Sequence, residues 1–404
     1  MSVAEIYPAD GASPGDEAFS PARAEAFEER FVGMLNGGAA CLMVSVGHRT
    51  GLFDALEDGA WVSSEALAGR AELNERYVRE WLGAMVASGI VEVDAETTTF
   101  RLPSEHAACL TRAATPNNFA VFAQYIPELG SIESDIVRCF EQGGGVPYER
   151  FGRFHEIMAE DSGQSVLPAL EEHILPLVPG LQDRLAAGIR VADLGCGRGR
   201  ALMEMAARYP ASQFTGIDLS AEAVAWATSE TEARGLTNVR FEVRDLATFD
   251  REAEPAAYDF VTTFDAVHDQ GNPRAMVRGI RRSLAADGVY LAQDINGSSH
   301  VHENSDHPIG TLLYTISCMH CMTVSLAQEG GEGLGAMWGR QKAVEIFTAA
   351  GFATGSMRFT STTARSRSSS SPHAAWGFGR PGGATYPSVG TRRCAGRCIR
   401  RSCR

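Results

Sequence analysis

Four strand-like apolar runs in the C-terminal half each end on an aspartate, and a glycine-rich turn follows the first. Residues 191–199 read VADLGCGRG: a strand ends at Asp193, and Gly195, Gly197 and Gly199 alternate before a helix begins. Glycines let the chain turn tightly and approach a ligand closely, and the helix start offers unpaired N–H groups. Such a turn alone could serve a nicotinamide, a flavin or a sulfonium nucleoside. The spacing departs from the dinucleotide pattern GxGxxG. A carboxylate ahead of the first glycine would also repel a pyrophosphate, while it suits an ammonium group.

The second run, GIDLS, ends at Asp218 with Leu219 beside it, where an acid can accept both hydroxyls of a ribose. The third ends at Asp245 and Leu246, a carboxylate and an apolar neighbour able to frame an adenine. The fourth delivers Phe264 and Asp265. Any one of these could be an ordinary loop acid. All four in register along one sheet edge predict a nucleoside site with an amino-acid end, which favours S-adenosylmethionine.

With DLGCGRG, GIDLS, VRD and YDFVTTFDAVHD in place, residues 189–352 resemble the class I S-adenosylmethionine-dependent methyltransferases. Residues 21–110 resemble the winged-helix half of actinobacterial methyltransferases and of bacterial and plant small-molecule O-methyltransferases. The resemblance implies that Asp193, Gly195 and Gly197 hold the methionine end, Asp218 the ribose, and Asp245 with Leu246 the adenine. It also implies a homodimer through the N-terminal half, which would cover the pocket of a small-molecule acceptor.

Methyl transfer needs the nucleophile placed in line and, for a hydroxyl, relieved of its proton. In the family a His-Asp pair after the fourth strand supplies the base, and His268–Asp269 occupies that place here. The family's following tryptophan is Gln270 in this chain. A histidine that merely bonds to backbone at the helix start is the plainer alternative. His320, in TISCMHCMTVSL, could face the pocket but reads more readily as packed. Trp338 and Tyr314 are candidates to line an acceptor site, and Glu303 or Glu329 to orient the base. No NPPY- or DPPY-like run and no Pro-Cys nucleophile follows the fourth strand, which disfavours nucleic-acid bases as acceptors.

These groups need a scaffold, and the pattern along the chain predicts one. Residues 1–20 are rich in glycine, proline and acids, and predict a disordered start. From Pro21 a helical pattern runs with an interruption at Gly37 and Gly38. Ser63 or Ser64 can cap a short helix, Asn74 a second that ends near Gly89, and IVEVD and TTFRL read as a two-stranded wing. Residues 21–115 thus form a winged-helix module. Residues 116–180 read as a helical pocket cover broken at Pro127, Gly143–Gly145 and Pro147. From 181 to 357, strands alternate with helices, which implies a parallel Rossmann-like α/β sheet with helices on both faces.

Charge and composition narrow the function further. The chain holds 36 basic and 50 acidic residues. Ten of the basic residues are arginines after Met357, where there is no acid, so the body carries 26 basic residues against all the acids. Such a body repels phosphate backbones. A winged helix is also a transcription-factor module, so the rival is a regulator that senses S-adenosylmethionine. Its DNA-reading face would have to be basic, yet Gly51–Leu110 has four arginines against eleven acids. No apolar stretch of about twenty residues and no signal peptide is evident, which predicts a cytoplasmic protein. The cysteines lack zinc spacing, and no metal is expected. After Phe352 one more strand can be read in ATGSMRF, but no seventh. The Arg/Ser-rich residues 358–404 therefore predict a disordered or frameshifted tail.

Overall fold

The computed structural model describes residues 19–353, 358–361 and 373–379. The expectations for residues 1–18 and for 380–404 lie outside the described residues. Ser20 caps the first helix, α1 (Pro21–Arg49), its hydroxyl accepting from the Arg23 N–H. The helix runs unbroken through Gly37 and Gly38, where the sequence predicts an interruption. Two glycines cost about 1 kcal/mol each, too little to stop a helix whose last turns are anchored by packing.

That packing is the winged helix. Ser63 caps α2 (Ser64–Ala71) and Asn74 caps α3 (Glu75–Ala87). The wing pairs β1 (Glu92–Asp94) with β2 (Thr99–Arg101), and Val62 bridges Phe100. Phe53, Leu67, Val78, Trp81 and Met85 form its core. The Trp81 indole donates to the Met43 carbonyl at 2.8 Å, tying α3 to α1.

The cover segment is helical. Pro127 does not break it, because it falls in the first turn of the helix Tyr125–Gly130, where a proline N–H is not missed. The element that reaches the cleft is α4 (Phe154–Gln164).

The catalytic half is a seven-stranded sheet. Its strands are β3 (Arg190–Leu194), β4 (Gln213–Asp218), β5 (Val239–Val243), β6 (Tyr258–Phe264), β7 (Leu284–Ile295), β8 (Arg358–Ser361) and β9 (His373–Gly379), in the order β5-β4-β3-β6-β7-β9-β8. The first five are parallel, and β9 runs antiparallel between β7 and β8. A seventh strand therefore exists, contrary to the sequence expectation. HAAWGFG pairs with Val289–Ile295 over its whole length, and the stretches Arg358–Ser361 and His373–Gly379 belong to the domain. Alternate strand residues serve two cores: Val191, Phe260 and Leu291 face one helical layer, Ala192, Val261 and Tyr290 the other.

One more expectation changes. Among the described residues α1 alone is long and apolar enough to cross a membrane by length and composition. Its last turns pack on the winged helix through Val44 and Gly47, while Phe27, Phe31 and Leu35 are exposed.

Glycines along α1 should respond to substitution with opposite signs. A Cβ on Gly47 would lie 2.6 Å from the Trp81 ring and 2.8 Å from Phe53, so Gly47→Ala should destabilise by about 1–3 kcal/mol. At Gly37 and Gly38 nothing lies within 4 Å, so alanine there should stabilise by about 0.5–1 kcal/mol each. Urea unfolding of the variants measures both.

Candidate active site

A cleft opens beside the C-terminal ends of β3 and β6, where the strand order reverses and open α/β sheets bind ligands. It is lined by the glycine turn, the cover segment and the insertion after β7.

The glycine turn forms one wall. The N–H groups of Gly195 and Cys196 donate to the Ile217 carbonyl at 2.8 and 3.2 Å. The Gly197 N–H donates to Asp218 Oδ2 at 2.7 Å, and the Ser220 N–H to Oδ1 at 2.8 Å. All three glycines have φ between +52° and +69°. A Cβ on Gly199 would strike the Phe241 ring at 2.2 Å, whereas nothing lies within 4 Å of one on Gly197. Gly199 is small to admit Phe241; Gly197 faces open space.

Asp193 lines this wall fully buried, accepting from the Thr262 hydroxyl at 2.8 Å. Burial, helped by the nearby Asp218 charge and opposed by the Thr262 bond, pushes its carboxyl up to about 7. Arg198, which also lines the cleft, pairs with Glu222 at 2.6 Å and leaves a buried Nε without a partner. A buried acid without a cation beside it and a guanidinium Nε without an acceptor fit an amino-acid end. Phe264 and Asp265 join the wall.

The other expected cofactor residues lie outside the cleft wall. Asp218 is behind the glycine turn, with two of its four lone-pair positions taken by backbone. Leu219 is half-exposed at the strand end. Asp245 is exposed and accepts from the Ala247 N–H, and Leu246 is buried in the core beneath the sheet.

His268 and Asp269 both line the cleft but have different partners. His268 Nδ1 lies 2.8 Å from Asp294 Oδ1, which also accepts from the Trp338 indole at 3.0 Å. Burial disfavours the charged imidazole, but the Asp294 carboxylate and the Cys321 side chain outweigh it, and His268 is held well above the ordinary imidazole range. Asp269 instead accepts from the Tyr148 hydroxyl at 2.5 Å, and burial pushes it up to about 6.

Asp294 thus takes the orienting role for which Glu303 and Glu329 were candidates. Glu303 is bound to Ser298 and Gln341 away from His268, and Glu329 is exposed. Trp338 is a core residue and Tyr314 hydrogen-bonds Asn304; neither lines the cleft. His320 does line it. The rest of the lining is largely apolar: Phe122, Tyr125, Phe154 and Met158 from the cover, Leu313 and Ile316 from the insertion after β7. Sequence reasoning missed Asp294, Arg198 and Tyr148. Asp294 was readable as one more acid at a strand end, in GVYLAQDI.

With this geometry in place, comparison with known proteins is informative. Residues 38–112 match the Rv2258c-like winged HTH domain and residues 185–351 a methyltransferase domain. The two matches give the chain a winged-helix region followed by a methyltransferase domain. The ubiquinone biosynthesis O-methyltransferase of Neisseria meningitidis serogroup A is 32% identical over 120 residues, 28% of this chain and 48% of that protein. The chain therefore spans about half the length of that curated relative. Methyltransferase ungE' of Aspergillus campestris is 23% identical over 70% of this chain and 82% of its own. Among solved structures, human N-acetylserotonin methyltransferase in complex with SAM superposes with a TM-score of 0.59 at 15% identity, over 91% of this chain and 99% of that one. That likeness is one of fold.

The His268–Asp294 contact makes a signed prediction. Removing the carboxylate charge in Asp294→Asn should lower the His268 pKa, followed by NMR of the imidazole C–H signals. The pair's contribution to stability is complete below the unfolded value of about 6.5 and is lost as pH rises through the raised folded value. An unchanged titration would mean that Asp294 does not control the ring.

Proposed function

We propose that the protein is a soluble, cytoplasmic S-adenosylmethionine-dependent methyltransferase acting on an oxygen of an apolar or aromatic small molecule. One observation carries this reading: a single cleft joins an amino-acid-binding end at Asp193 and Arg198, an imidazole braced by a buried carboxylate, and an apolar wall. The cofactor residues would be Asp193, Gly195 and Gly197 at the methionine end, with Arg198 offering its free Nε to the carboxylate. Asp218 would use its two remaining lone-pair positions for the ribose, and Phe264 and Asp265 would continue that edge. At the adenine end Asp245 and Leu219 have side chains within reach of solvent, and Leu246 would contribute backbone.

When bound, S-adenosylmethionine supplies an electrophilic methyl group. The chain's own work is placement and proton removal. His268, once neutral, takes the acceptor's proton at the nitrogen not facing Asp294, and Asp294 stabilises the imidazolium that results. The cover helices exclude water from the acceptor. Asp269, held by Tyr148, joins the cover to the strand-end loop.

The rival regulator reading is disfavoured by the exposed face of α3. Its arginines are already paired in place, Arg76 with Glu80 and Arg79 with Glu75, each at 2.6 Å.

Calorimetry with S-adenosylhomocysteine tests the cofactor site. A ligand ammonium should lower the Asp193 pKa from about 7, so binding should release protons and weaken as pH falls through that value. Asp193→Asn should abolish the pH dependence, and no binding by the wild type would sink the reading. His268→Ala should lower turnover by about 10²–10⁴-fold with this affinity intact.

The exposed face of α1 bears on assembly. We propose a homodimer in which α1 of each copy covers the other's Phe27, Phe31 and Leu35, which recur at four-residue intervals on one exposed face. A twofold pairing makes the same face its own complement. Sedimentation should give a dimer for the wild type and a monomer for Leu35→Glu; a wild-type monomer at micromolar concentration would refute the pairing.

A further inference from the structure

Among the described residues, the buried side-chain nitrogens and oxygens without a hydrogen-bond partner are Arg198 Nε, Asp294 Oδ2, and both ring nitrogens of His320. All three residues line the cleft or hold a residue that does. Arg198 and Asp294 have roles in the reading above. His320 has none, and it is the one side chain with both of its polar atoms unpaired.

Its surroundings are unusual for a histidine. The ring is buried, stacked on Phe154 at 3.3 Å between centroids and 6° between planes, with the rings of Phe151 and Tyr148 edge-on. It belongs to a π-helical turn, Ser317–Cys321, between the helices Gly310–Ile316 and Met322–Leu326. Such turns are uncommon and concentrate at functional sites. A phenylalanine would fill the same slot and pack on the same three rings without leaving two polar atoms unpaired. Burying an unpaired polar group costs free energy. Local rules are broken in this way mainly where a ligand supplies what the fold withholds.

Resting on the methyltransferase reading, we propose that His320 is the second polar anchor of the acceptor site. The acceptor is then an aromatic hydroxyl compound with a further hydrogen-bonding group, a second hydroxyl or a carbonyl, on the same ring system. Phe122, Tyr125 and Phe154 supply the aromatic wall, and His268 the end at which the hydroxyl reacts. Burial, reinforced by His155 and His268, keeps His320 neutral. A neutral imidazole offers one donor and one acceptor, so it pairs with either kind of group.

The test uses the full chain saturated with S-adenosylhomocysteine and two probes, 2-naphthol and 2,3-dihydroxynaphthalene, titrated by calorimetry. The wild type should bind the dihydroxy probe about tenfold more tightly, a difference of about 1.4 kcal/mol. His320→Phe should bind both equally, keep its S-adenosylhomocysteine affinity, and melt about 2 °C higher, because the unpaired nitrogens are gone. His320→Gln, which keeps a donor and an acceptor, should recover part of the discrimination. Equal binding of the probes by the wild type, discrimination retained in His320→Phe, or a lower melting temperature in that variant would overturn the proposal. Binding of neither probe to the saturated protein would overturn the aromatic class. Failure to bind S-adenosylhomocysteine at all would instead remove the methyltransferase reading on which the proposal stands.

Discussion

Much of the cleft depends on how the glycine-rich turn after β3 is pinned to the end of β4. Gly195 and Cys196 donate to the Ile217 carbonyl, and Gly197 donates to the Asp218 carboxylate at 2.7 Å. A carboxylate taking a backbone N–H gives a strong bond. The bond fixes the turn in a left-handed conformation that only glycine adopts without strain. It also places Asp193, Arg198 and the open floor at Gly197 along one wall. Phe241 completes the arrangement by packing into the hollows beside Gly199 and Gly216. A side chain at either position would push the third strand away from the turn.

The same economy of contacts explains what could be read in the sequence. The placement of Asp193, Gly197 and Asp218 along one sheet edge was legible because strand ends and glycine spacing are local patterns, and the sheet brings such ends together whatever the loops do. The two cores were legible for a similar reason: Val191 and Ala192 alternate, and alternation divides a strand between two helical layers. The unbroken α1 was not legible, because Gly37 and Gly38 are tolerated by packing that begins only at Val44 and Gly47. Pro127 misled in the opposite sense, since a proline in a first helical turn and one that ends a helix look alike until the boundary is known.

Residues that act across the fold were the hardest to place. Asp294 and His268 are 26 positions apart, and Trp338 reaches the same oxygen from 44 positions further on. Its strand-end position separates Asp294 from Glu303 and Glu329, but nothing local pairs it with His268. What selects it is the parallel pairing of β6 with β7, in which Phe264 faces Gln293. That register sets the loop after β6 beside the end of β7. The Leu246 side chain lies in the core for the converse reason: an apolar residue after a strand packs beneath the sheet as readily as it faces a ligand. The seventh strand was obscured by its flanks, where serine and arginine runs surround the short apolar segment HAAWGFG. Its seven residues pair with β7 across the full Val289–Ile295 register, so a strand of that length needs no longer apolar signal once a partner edge is present.

Two buried carboxylates serve one cleft under different physical regimes: Asp193 lines it, and Asp294 holds His268, which lines it too. Asp193 has a neutral hydroxyl as its hydrogen-bond partner, so burial dominates and raises its pKa to about 7. Asp294 faces an imidazole and an indole N–H, so charge and hydrogen bonding oppose burial there and raise the pKa of the histidine instead. The first arrangement is completed by a cation arriving from outside the protein. The second already has its partner, an imidazole whose charged form it stabilises, so that the ring, once neutral, is suited to receiving a proton. An electrophile-bearing ammonium compound at one end and a proton-losing acceptor at the other use these two regimes without either carboxylate changing place. Exchanging their surroundings would defeat both: an ion-paired Asp193 would have no charge to offer a ligand, and an Asp294 without its histidine would leave no base. The division is thus fixed by which neighbours the sheet supplies, Thr262 beside β3 and His268 beside β7.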